Sequence, residues 1–296
     1  MRTLVYVPDG NYLLHRAFSV SARRRNIKHL EKNTLDLFLK FVCADALSLK
    51  ATHILVAFDS KRSWRHDIFK DYKANRNKGS QEVTTNTGDK VTLDITAGSL
   101  VKEARLVCEL AGLTVGYKKG YEGDDILSSA AKHLPGKVVC GTRDKDCLAV
   151  ITEDGRVRVW WPSEQIMMDW KAVIKKFGVR PDQIAAYLAL CGDKVDNIPG
   201  IDGVGDATAA KWLTKYGSLQ GMLKDPKIMS KLKPHKSTLV MCKKLTTLSD
   251  DIVFKLDDLV PQPIDHSLSD HVWSIPSALR ELSDARKFAS RKGLFG

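Results

Sequence analysis

Acidic residues of this chain collect where apolar runs end or where glycine follows. The segment GYEGDD places Glu122, Asp124 and Asp125 within four positions of one another. Taken singly, each acid is most simply a helix cap or a turn residue. Taken together, nine acids near strand ends indicate a site rather than a set of caps. The other six stand in VPDGN, VAFDS, TRDKD and CGDKVDN, and they are Asp9, Asp59, Asp144, Asp146, Asp193 and Asp196.

A cluster of carboxylates needs cations to hold it together. Two carboxylates about 5 Å apart repel by roughly 3 kcal/mol at an effective dielectric constant of about 20. Oxygen ligands without histidine or cysteine favour Mg²⁺ or Mn²⁺. More carboxylates than one ion requires indicate two ions, the arrangement used for in-line cleavage of phosphodiester bonds.

Short apolar strands alternating with helices must position these acids. The strands are predicted over 3–8, 53–58, 113–117, 137–142 and 156–161. Helical patterns lie between them, and the alternation predicts an α/β fold with a three-layer, mostly parallel sheet. Ligands of such sheets bind beyond the carboxyl ends of the strands. Because Asp9, Asp59 and Asp144 each follow a strand, we expect them at one edge of the sheet.

The charge of the chain suggests the kind of partner. In 296 residues, 47 Lys and Arg oppose 35 Asp and Glu, which gives a net charge of +12. Such an excess favours a polyanion, either nucleic acid or a membrane surface. No apolar run is long enough to span a membrane, and the N-terminus lacks the pattern of a signal peptide. The six cysteines are widely spread, which predicts reduced thiols and a cytosolic protein without zinc.

A basic segment follows the second acidic strand end. Residues 60–78 contain seven Lys and Arg against two Asp. Alone, this segment would be a solvated basic helix. Beside a metal cluster, Lys73 and Arg76 are better interpreted as donors to a scissile phosphate, and Tyr72 as a platform on which a base stacks.

A glycine-rich stretch at 198–219 suggests a second contact with phosphate. Glycines at 200, 203 and 205 lead into a helical pattern, which predicts a tight hairpin with exposed backbone N–H groups at a helix N-terminus. Such groups bind phosphate without reading sequence. Between 206 and 245 nine lysines oppose two aspartates. The predicted DNA-binding residues here are Gly200, Gly203, Gly205, Lys211 and Lys215.

The change in composition near residue 180 predicts two regions, 1–180 and a helical region 181–296. Within the first, residues 77–98 lack apolar periodicity and predict either a mobile loop or a small hairpin around NTGD. Insertions of this length are usually functional or disordered.

Five segments taken in order resemble the 5′→3′ exonuclease and flap endonuclease family. They are DGNYLLHRAF, WRHDIFKDYKANR, GYEGDDI, RDKD and YLALCGDKVDNIPGIDGVGDATAAKWLTKYGSL, which span about residues 4 to 220. The resemblance implies a PIN-like catalytic domain in the first region, an arch formed by 77–98, and a helix-hairpin-helix motif at about 190–220. Two departures, Gly123 where alanine is common and Arg143 where glycine is usual, remove no ligand.

The resemblance also implies roles for residues. Two Mg²⁺ ions are implied, which Mn²⁺ can replace, and the hairpin would hold a potassium ion on backbone carbonyls. Lys73 and Arg76 correspond to cations at the base of the arch, and Asp144 to a catalytic residue between the ions. The implied ligands are Asp9, Asp59, Glu122 and Asp124 for the first ion, and Asp146, Asp193 and Asp196 for the second, with Asp144 between them and Asp125 in support.

The sequence therefore predicts a metal-dependent 5′-nuclease that acts in replication or repair on 5′ ends or flaps of DNA and on RNA–DNA hybrids. It also predicts a monomer without a small-molecule cofactor, in the cytoplasm of a bacterium or a phage-infected host. Two alternatives stay open: a PIN-type ribonuclease, and a non-catalytic helix-hairpin-helix protein that binds DNA and whose acids are structural.

Overall fold

The computed structural model describes residues 3–23, 28–76, 81–84, 86, 88, 90–259, 262–277 and 279. The strands in this part of the chain are β1 (Leu4–Pro8), β2 (His53–Ala57), β3 (Gln81–Thr84), β4 (Lys90–Leu93), β5 (Thr114–Gly116), β6 (Lys137–Gly141), β7 (Val157–Trp161) and β8 (Ile166–Met168).

The helices of the same residues lie on either side of these strands or follow them. They are α1 (Gly10–Ala22), α2 (Leu30–Ser48), α3 (Arg65–Ile68), α4 (Val101–Leu110), α5 (Gly123–His133), α6 (Trp170–Phe177), α7 (Ile184–Cys191), α8 (Asp206–Tyr216), α9 (Leu219–Met222), α10 (Pro226–Leu232), α11 (Lys236–Thr246) and α12 (Leu268–His271). None of these helices is both long enough and apolar enough to cross a membrane.

Six strands form one sheet in the order β5-β2-β1-β6-β7-β8. The first five run parallel, and β8 pairs antiparallel with β7. All five strands predicted from the sequence are present, which confirms the α/β class with a mostly parallel sheet. β8 was not predicted, because three residues are too few to show the alternation of a strand.

Helices cover both faces of the sheet. Val5 and Val7 of β1 lie in one core with Ile126 of α5, whereas Tyr6 lies in a second core with Phe38 of α2. Successive residues of a strand point to opposite faces, so this division gives three layers. Burial on both sides explains why these strands read as continuous apolar runs.

The segment 77–98 contains an antiparallel hairpin, which was one of the two predicted alternatives. β3 pairs with β4, and the backbone N–H of Asn86 donates to the carbonyl of Arg23 at 2.8 Å. Leu93 is buried and Val83 is partly buried against the core that contains α1. This contact anchors the hairpin to the domain, while the predicted mobility of the segment stays a prediction. Residues 77–80, 85, 87 and 89 lie outside the described part of the chain.

The helical region packs on the sheet without a break. Val159 of β7, Leu190 of α7, Leu213 of α8 and Leu245 of α11 are all fully or almost fully buried in one core. The hydrophobic core therefore continues across residue 180, so that residues on α7 and its following loop are held against the sheet.

Candidate active site

Three strand ends converge on Asp9. Its backbone N–H donates to the carbonyl of Gly141 at 2.8 Å, and it forms an isolated bridge with Ala57. Thr142 joins Asp9 to the next acid, because its hydroxyl donates to Asp9 Oδ2 at 3.1 Å and accepts from the N–H of Asp144 at 3.2 Å. The structure thus places Asp9 and Asp144 at one edge of the sheet.

Asp9 combines a capping role with its place in the site. Its Oδ1 accepts from the N–H of Tyr12 at 3.0 Å and caps α1, while Oδ2 faces Thr142. The cap and the site are therefore compatible, because one carboxylate has two oxygens and each serves a different purpose.

The N-terminus of α5 carries the next acids to this edge. Asp59 Oδ1 accepts from the N–H of Gly123 at 2.6 Å, and Glu122 is the N-cap of α5. Asp124 lies in the first turn, where the thiol of Cys147 donates to its Oδ1 at 3.0 Å. A helix N-terminus favours negative charge, which partly offsets the repulsion among these acids.

Five acids of this edge make no ion pair within the described residues. Burial raises the pKa of each of them, and neighbouring carboxylates raise it further. The pKa of Asp9 reaches about 7, first through burial and then through the charge of Asp59. We call these acids the acidic edge, and they are Asp9, Asp59, Asp124, Asp144 and Asp146.

The donor set of the acidic edge fits a hard divalent cation. Oδ1 of Asp146 is buried without a hydrogen-bond partner in the described part of the chain, which is costly unless a cation or another donor meets it. Carboxylate oxygens alone are the ligands that Mg²⁺ and Mn²⁺ prefer. As the side chains stand, no three His, Cys, Asp or Glu residues among those described surround a common point. The residues are therefore chemically suited to a metal ion without forming a closed ligand cage.

A pair of cations borders the acidic edge. Lys73 Nζ lies 3.0 Å from Glu122 Oε1 and 3.6 Å from Asp196 Oδ2, and Arg76 Nη2 lies 2.7 Å from Asp196 Oδ1. Burial lowers the pKa of Lys73, but the charges of Glu122 and Asp196 outweigh it and hold this pKa above its ordinary value. Lys73 has φ of +56°, a conformation that costs a non-glycine residue energy and is fixed here by its N–H bond to the Asp196 carbonyl. Both predicted cations therefore lie beside the acids in charged form.

The prediction that Tyr72 stacks on a base is wrong. Its side chain is buried, with the residue only 3% exposed, and its hydroxyl lies 3.0 Å from both Glu122 Oε2 and Asp196 Oδ2. A ring without an exposed face cannot receive a base. Tyr72 instead links two acids that the sequence placed 74 positions apart, at 122 and 196.

Asp125 is engaged by another partner, and its predicted support of a metal ion stays a prediction. Arg65 Nη1 and Nη2 each donate to one oxygen of Asp125 at 2.8 Å. The remaining guanidinium donors reach Glu122 and the carbonyls of Leu245 and Thr247, so that all five are used. Arg65 is 1% exposed and Asp125 is fully buried. Asp125 therefore neutralises a structural arginine.

The loop after α7 brings the last two predicted ligands to the site. Asp193 Oδ2 lies 2.9 Å from Lys145 Nζ, and Asp193 pairs with Ile198 in a short antiparallel bridge. Asp196 contacts Lys73 and Arg76 as described above. Both acids are buried and ion-paired, which distinguishes them from the acidic edge.

The glycines of the predicted hairpin differ in their surroundings. Gly200 is buried, and a Cβ there would lie 2.4 Å from the backbone nitrogen of Gly192, so its prediction as a contact for DNA is wrong. Gly203 and Gly205 are exposed, a Cβ at either position would face open space, and Gly205 is the N-cap of α8. Lys211 and Lys215 on the same helix are exposed.

Sequence reasoning missed three residues that organise this site. Thr142 directly follows an apolar strand, and Lys145 stands between two acids in RDKD. The sequence positions of both residues could therefore have indicated that they belong to the site. Arg65 lies in the segment WRHDIFKDYKANR, but nothing in that segment shows its role, because its partners lie 57 to 182 positions away.

Comparisons with known proteins identify relatives of this chain. Residues 4–178 match the family model described as the N-terminal resolvase-like domain of 5′-3′ exonucleases, and residues 179–267 match the model of their C-terminal SAM fold. A 5′-3′ exonuclease of Aquifex aeolicus is 32% identical over the whole of both chains. DNA polymerase I of Mycobacterium leprae is 34% identical over 92% of this chain but only 30% of its own length, so the chain spans less than a third of that relative.

Solved structures with the same fold include nucleases. The T5 D15 protein co-crystallised with metal ions has a TM-score of 0.66 at 18% identity, over 96% of this chain and 98% of its own. The catalytic core of Rad2 in complex with a DNA substrate has a TM-score of 0.52 at 14% identity, over 95% of this chain and 91% of its own. At these identities the likeness concerns the fold alone.

Proposed function

The chain belongs to the 5′-3′ exonuclease family, and from this premise we propose that it hydrolyses phosphodiester bonds at or near the 5′ ends of DNA, including single-stranded flaps. The observation that carries this proposal is the acidic edge, in which Asp146 is buried and the other four carboxylates are partly buried, and which makes no ion pair within the described residues. The charged Lys73 and Arg76 border it. RNA–DNA hybrids are proposed as further substrates, and the protein as a monomer.

We assign the acidic edge to divalent metal ions, and the oxygen-only donors favour Mg²⁺. Such ions supply Lewis acidity and neutralise charge on phosphate oxygens when they are bound. Asp193 and Asp196 are engaged by Lys145 and Arg76, so ion binding by these two acids competes with existing pairs. The proposed ligands are Asp9, Asp59, Glu122 and Asp124 for one ion and Asp146, Asp193 and Asp196 for the other, with Asp144 between them.

The cations of the site act on the reacting phosphate. Lys73 stays protonated at neutral pH, because the adjacent carboxylates raise its pKa. A fixed ammonium group beside the site stabilises the negative charge that develops on phosphate oxygens, and it needs no reorganisation when the reaction occurs. Arg76, which is more exposed than Lys73, assists by contact with the same phosphate or its neighbour.

The hairpin between α7 and α8 is proposed to hold the duplex. The exposed Gly203 and Gly205 let a phosphate approach backbone N–H groups, and Lys211 and Lys215 add charge on the helix that follows. A potassium ion on the carbonyls of this hairpin belongs to the same proposal. In this arrangement residues 1–180 carry Lys73, Arg76 and most of the proposed metal ligands. Residues 181–296 add Asp193 and Asp196 and carry much of the duplex contact.

One assay separates this function from the alternatives. A 5′-end-labelled flap DNA should be cut in Mg²⁺ and stay intact with a chelator. Binding without cutting in Mg²⁺ would favour the DNA-binding module whose acids are structural. Cutting confined to a matched RNA strand would favour a ribonuclease.

Lys73 and the helix lysines should have separable roles. We expect Lys73→Ala to lower the single-turnover cleavage rate by about 10²-fold, in line with the loss of one preorganised charge donor, with little change in the Kd for DNA. Lys211→Ala with Lys215→Ala should weaken binding and lower the log–log salt slope by roughly one unit per lost phosphate contact. Rapid-quench kinetics and fluorescence anisotropy measure the two quantities, and exchanged phenotypes would contradict both assignments.

A further inference from the structure

Arg143 is adjacent in sequence to the acidic edge, and its side chain is only partly engaged by the described residues. It stands between Thr142, whose hydroxyl donates to Asp9, and Asp144, which is itself a member of the acidic edge. The Arg143 side chain is 39% exposed. A partly exposed cation therefore stands on the residue that directly precedes Asp144.

Two neighbours fix the orientation of the Arg143 guanidinium. Its Nε donates to Glu164 Oε1 at 2.7 Å, and its Cζ lies 3.8 Å from the centroid of the Trp161 ring. Trp161 is buried and so provides a fixed platform. Glu164 accepts from the hydroxyl of Ser163, which in turn accepts from Tyr12 Oη at 2.9 Å. The guanidinium is thereby tied both to β7 and to the start of α1.

The outer nitrogens of Arg143 have no hydrogen-bond partner in the part of the chain that the structure describes. Nη1 and Nη2 make no hydrogen bond within the described residues, whereas Arg65 spends all five of its donors and Arg76 gives Nη2 to Asp196. Lys73 and Lys145 are each paired with a carboxylate. Arg143, one residue before Asp144, therefore has four N–H donors on Nη1 and Nη2 that no described residue accepts from.

We propose that Arg143 binds a phosphodiester group of the nucleic acid strand through Nη1 and Nη2, at a position other than the scissile phosphate. The planar fork of arginine matches two phosphate oxygens, which gives a bidentate contact. Stacking on Trp161 and the bond from Nε restrict the side chain before the ligand arrives, which reduces the entropy lost on binding. The inference rests on the proposed function for the identity of its ligand.

Binding without cleavage tests this contact. In a chelator, with fluorescence anisotropy of a labelled 5′-flap DNA, we expect Arg143→Ala to raise Kd by roughly tenfold, the effect of one charge-assisted contact partly open to water. The log–log salt slope should fall by roughly 0.7 to 0.9. Arg143→Lys should keep the salt slope but bind less tightly, because it retains the charge without the fork. Arg180→Ala is the matched control, since Arg180 is 43% exposed and also pairs with a carboxylate, that of Asp182.

Uncharged phosphate analogues, placed one at a time along the DNA strand, show which phosphate Arg143 contacts. Single methylphosphonate substitutions along the flap DNA should include one position that weakens binding of the wild type and has no further effect on Arg143→Ala. Should the alanine variant unfold at a lower temperature, Arg143→Lys is compared across the same set, where that position should keep a reduced effect. An unchanged Kd and salt slope for Arg143→Ala, with a wild type that binds and cuts, overturns this proposal alone. A wild type that binds no DNA overturns the proposed function as well.

Discussion

Asp9→Asn should lower cleavage of a flap DNA by about a thousandfold or more while making the metal-free protein more stable. The loss follows because a metal ligand contributes several kcal/mol of transition-state stabilisation. The gain follows because Asp9 is an acid whose charge is opposed by burial and by Asp59. Asparagine preserves the cap of α1, since its carbonyl oxygen still accepts from the Tyr12 N–H and its amide can donate to Thr142.

The stability gain of Asp9→Asn should depend on pH in a defined direction. The pKa of Asp9 rises from an ordinary value of 3.8 to about 7 in the folded protein, so the folded state holds the proton more tightly than the unfolded chain. The wild type therefore loses stability as pH rises through this interval, and the asparagine variant loses less, because only the other four acids of the acidic edge contribute to its loss. The difference in Tm, measured with a chelator present, should be small near pH 4, grow toward pH 7 and level off above it.

The matched control for this substitution is Asp169→Asn. Asp169 also caps a helix, α6, through a bond from the Ala172 N–H at 2.8 Å, but it lies outside the acidic edge. Asp169→Asn should cut DNA at the rate of the wild type. Cleavage by Asp9→Asn within a few-fold of the wild type, in saturating Mg²⁺, would show that Asp9 is a cap and not a ligand.

Arg65→Met should lower the free energy of unfolding by about 3–5 kcal/mol, the usual cost of leaving a buried charge without its partner. Arg65 is 1% exposed and holds Asp125 through two hydrogen bonds of 2.8 Å. Its loss would leave Asp125 charged and buried, and would release the carbonyls of Leu245 and Thr247 that fix the end of α11. Urea denaturation followed by circular dichroism measures the effect.

Two further variants identify the cause of this destabilisation. Adding Asp125→Asn to Arg65→Met removes the unpaired charge, and this double variant should be more stable than Arg65→Met alone. Arg62→Met is the exposed control, because Arg62 pairs with Asp67 where both side chains are more than two-thirds exposed, at 68% and 69%. A surface pair of this kind contributes about 0–1 kcal/mol. Equal losses for Arg62→Met and Arg65→Met would contradict the structural role of Arg65.

The strands and the acidic edge could be predicted from sequence because both depend on short runs of neighbouring residues. Strands such as β1 and β6 are short runs that must be apolar on both faces, and that requirement is visible in five residues. Once parallel strands are inferred, their carboxyl ends must share an edge of the sheet. The position of Asp9, Asp59 and Asp144 at that edge can then be inferred, because each of them follows a strand. The hairpin of β3 and β4 was foreseen only as an alternative, since its turn signal NTGD is not accompanied by a clear apolar pattern.

The burial and the partners of Tyr72, Asp125 and Gly200 could not be predicted in this way. Each residue type suits both a functional and a structural position, and neighbours distant in sequence decide between them. Asp125 forms an ion pair with Arg65, which lies 60 positions earlier in the sequence. Gly200 packs closely against the backbone of Gly192. Their burial depends on how α3, α5 and the loop after α7 pack together.

The sequence by itself determined which acids reach the edge of the sheet, because short apolar runs show where the strands end and the carboxyl ends of parallel strands share an edge. Only the tertiary structure decided which of those acids are neutralised by Arg65, Lys73, Arg76 or Lys145 and which stay unpaired. The physical reason is the range of the interactions. Backbone conformation responds to a few neighbouring residues, whereas a buried ion pair between residues distant in sequence forms only where packing brings the two side chains within about 4 Å of each other.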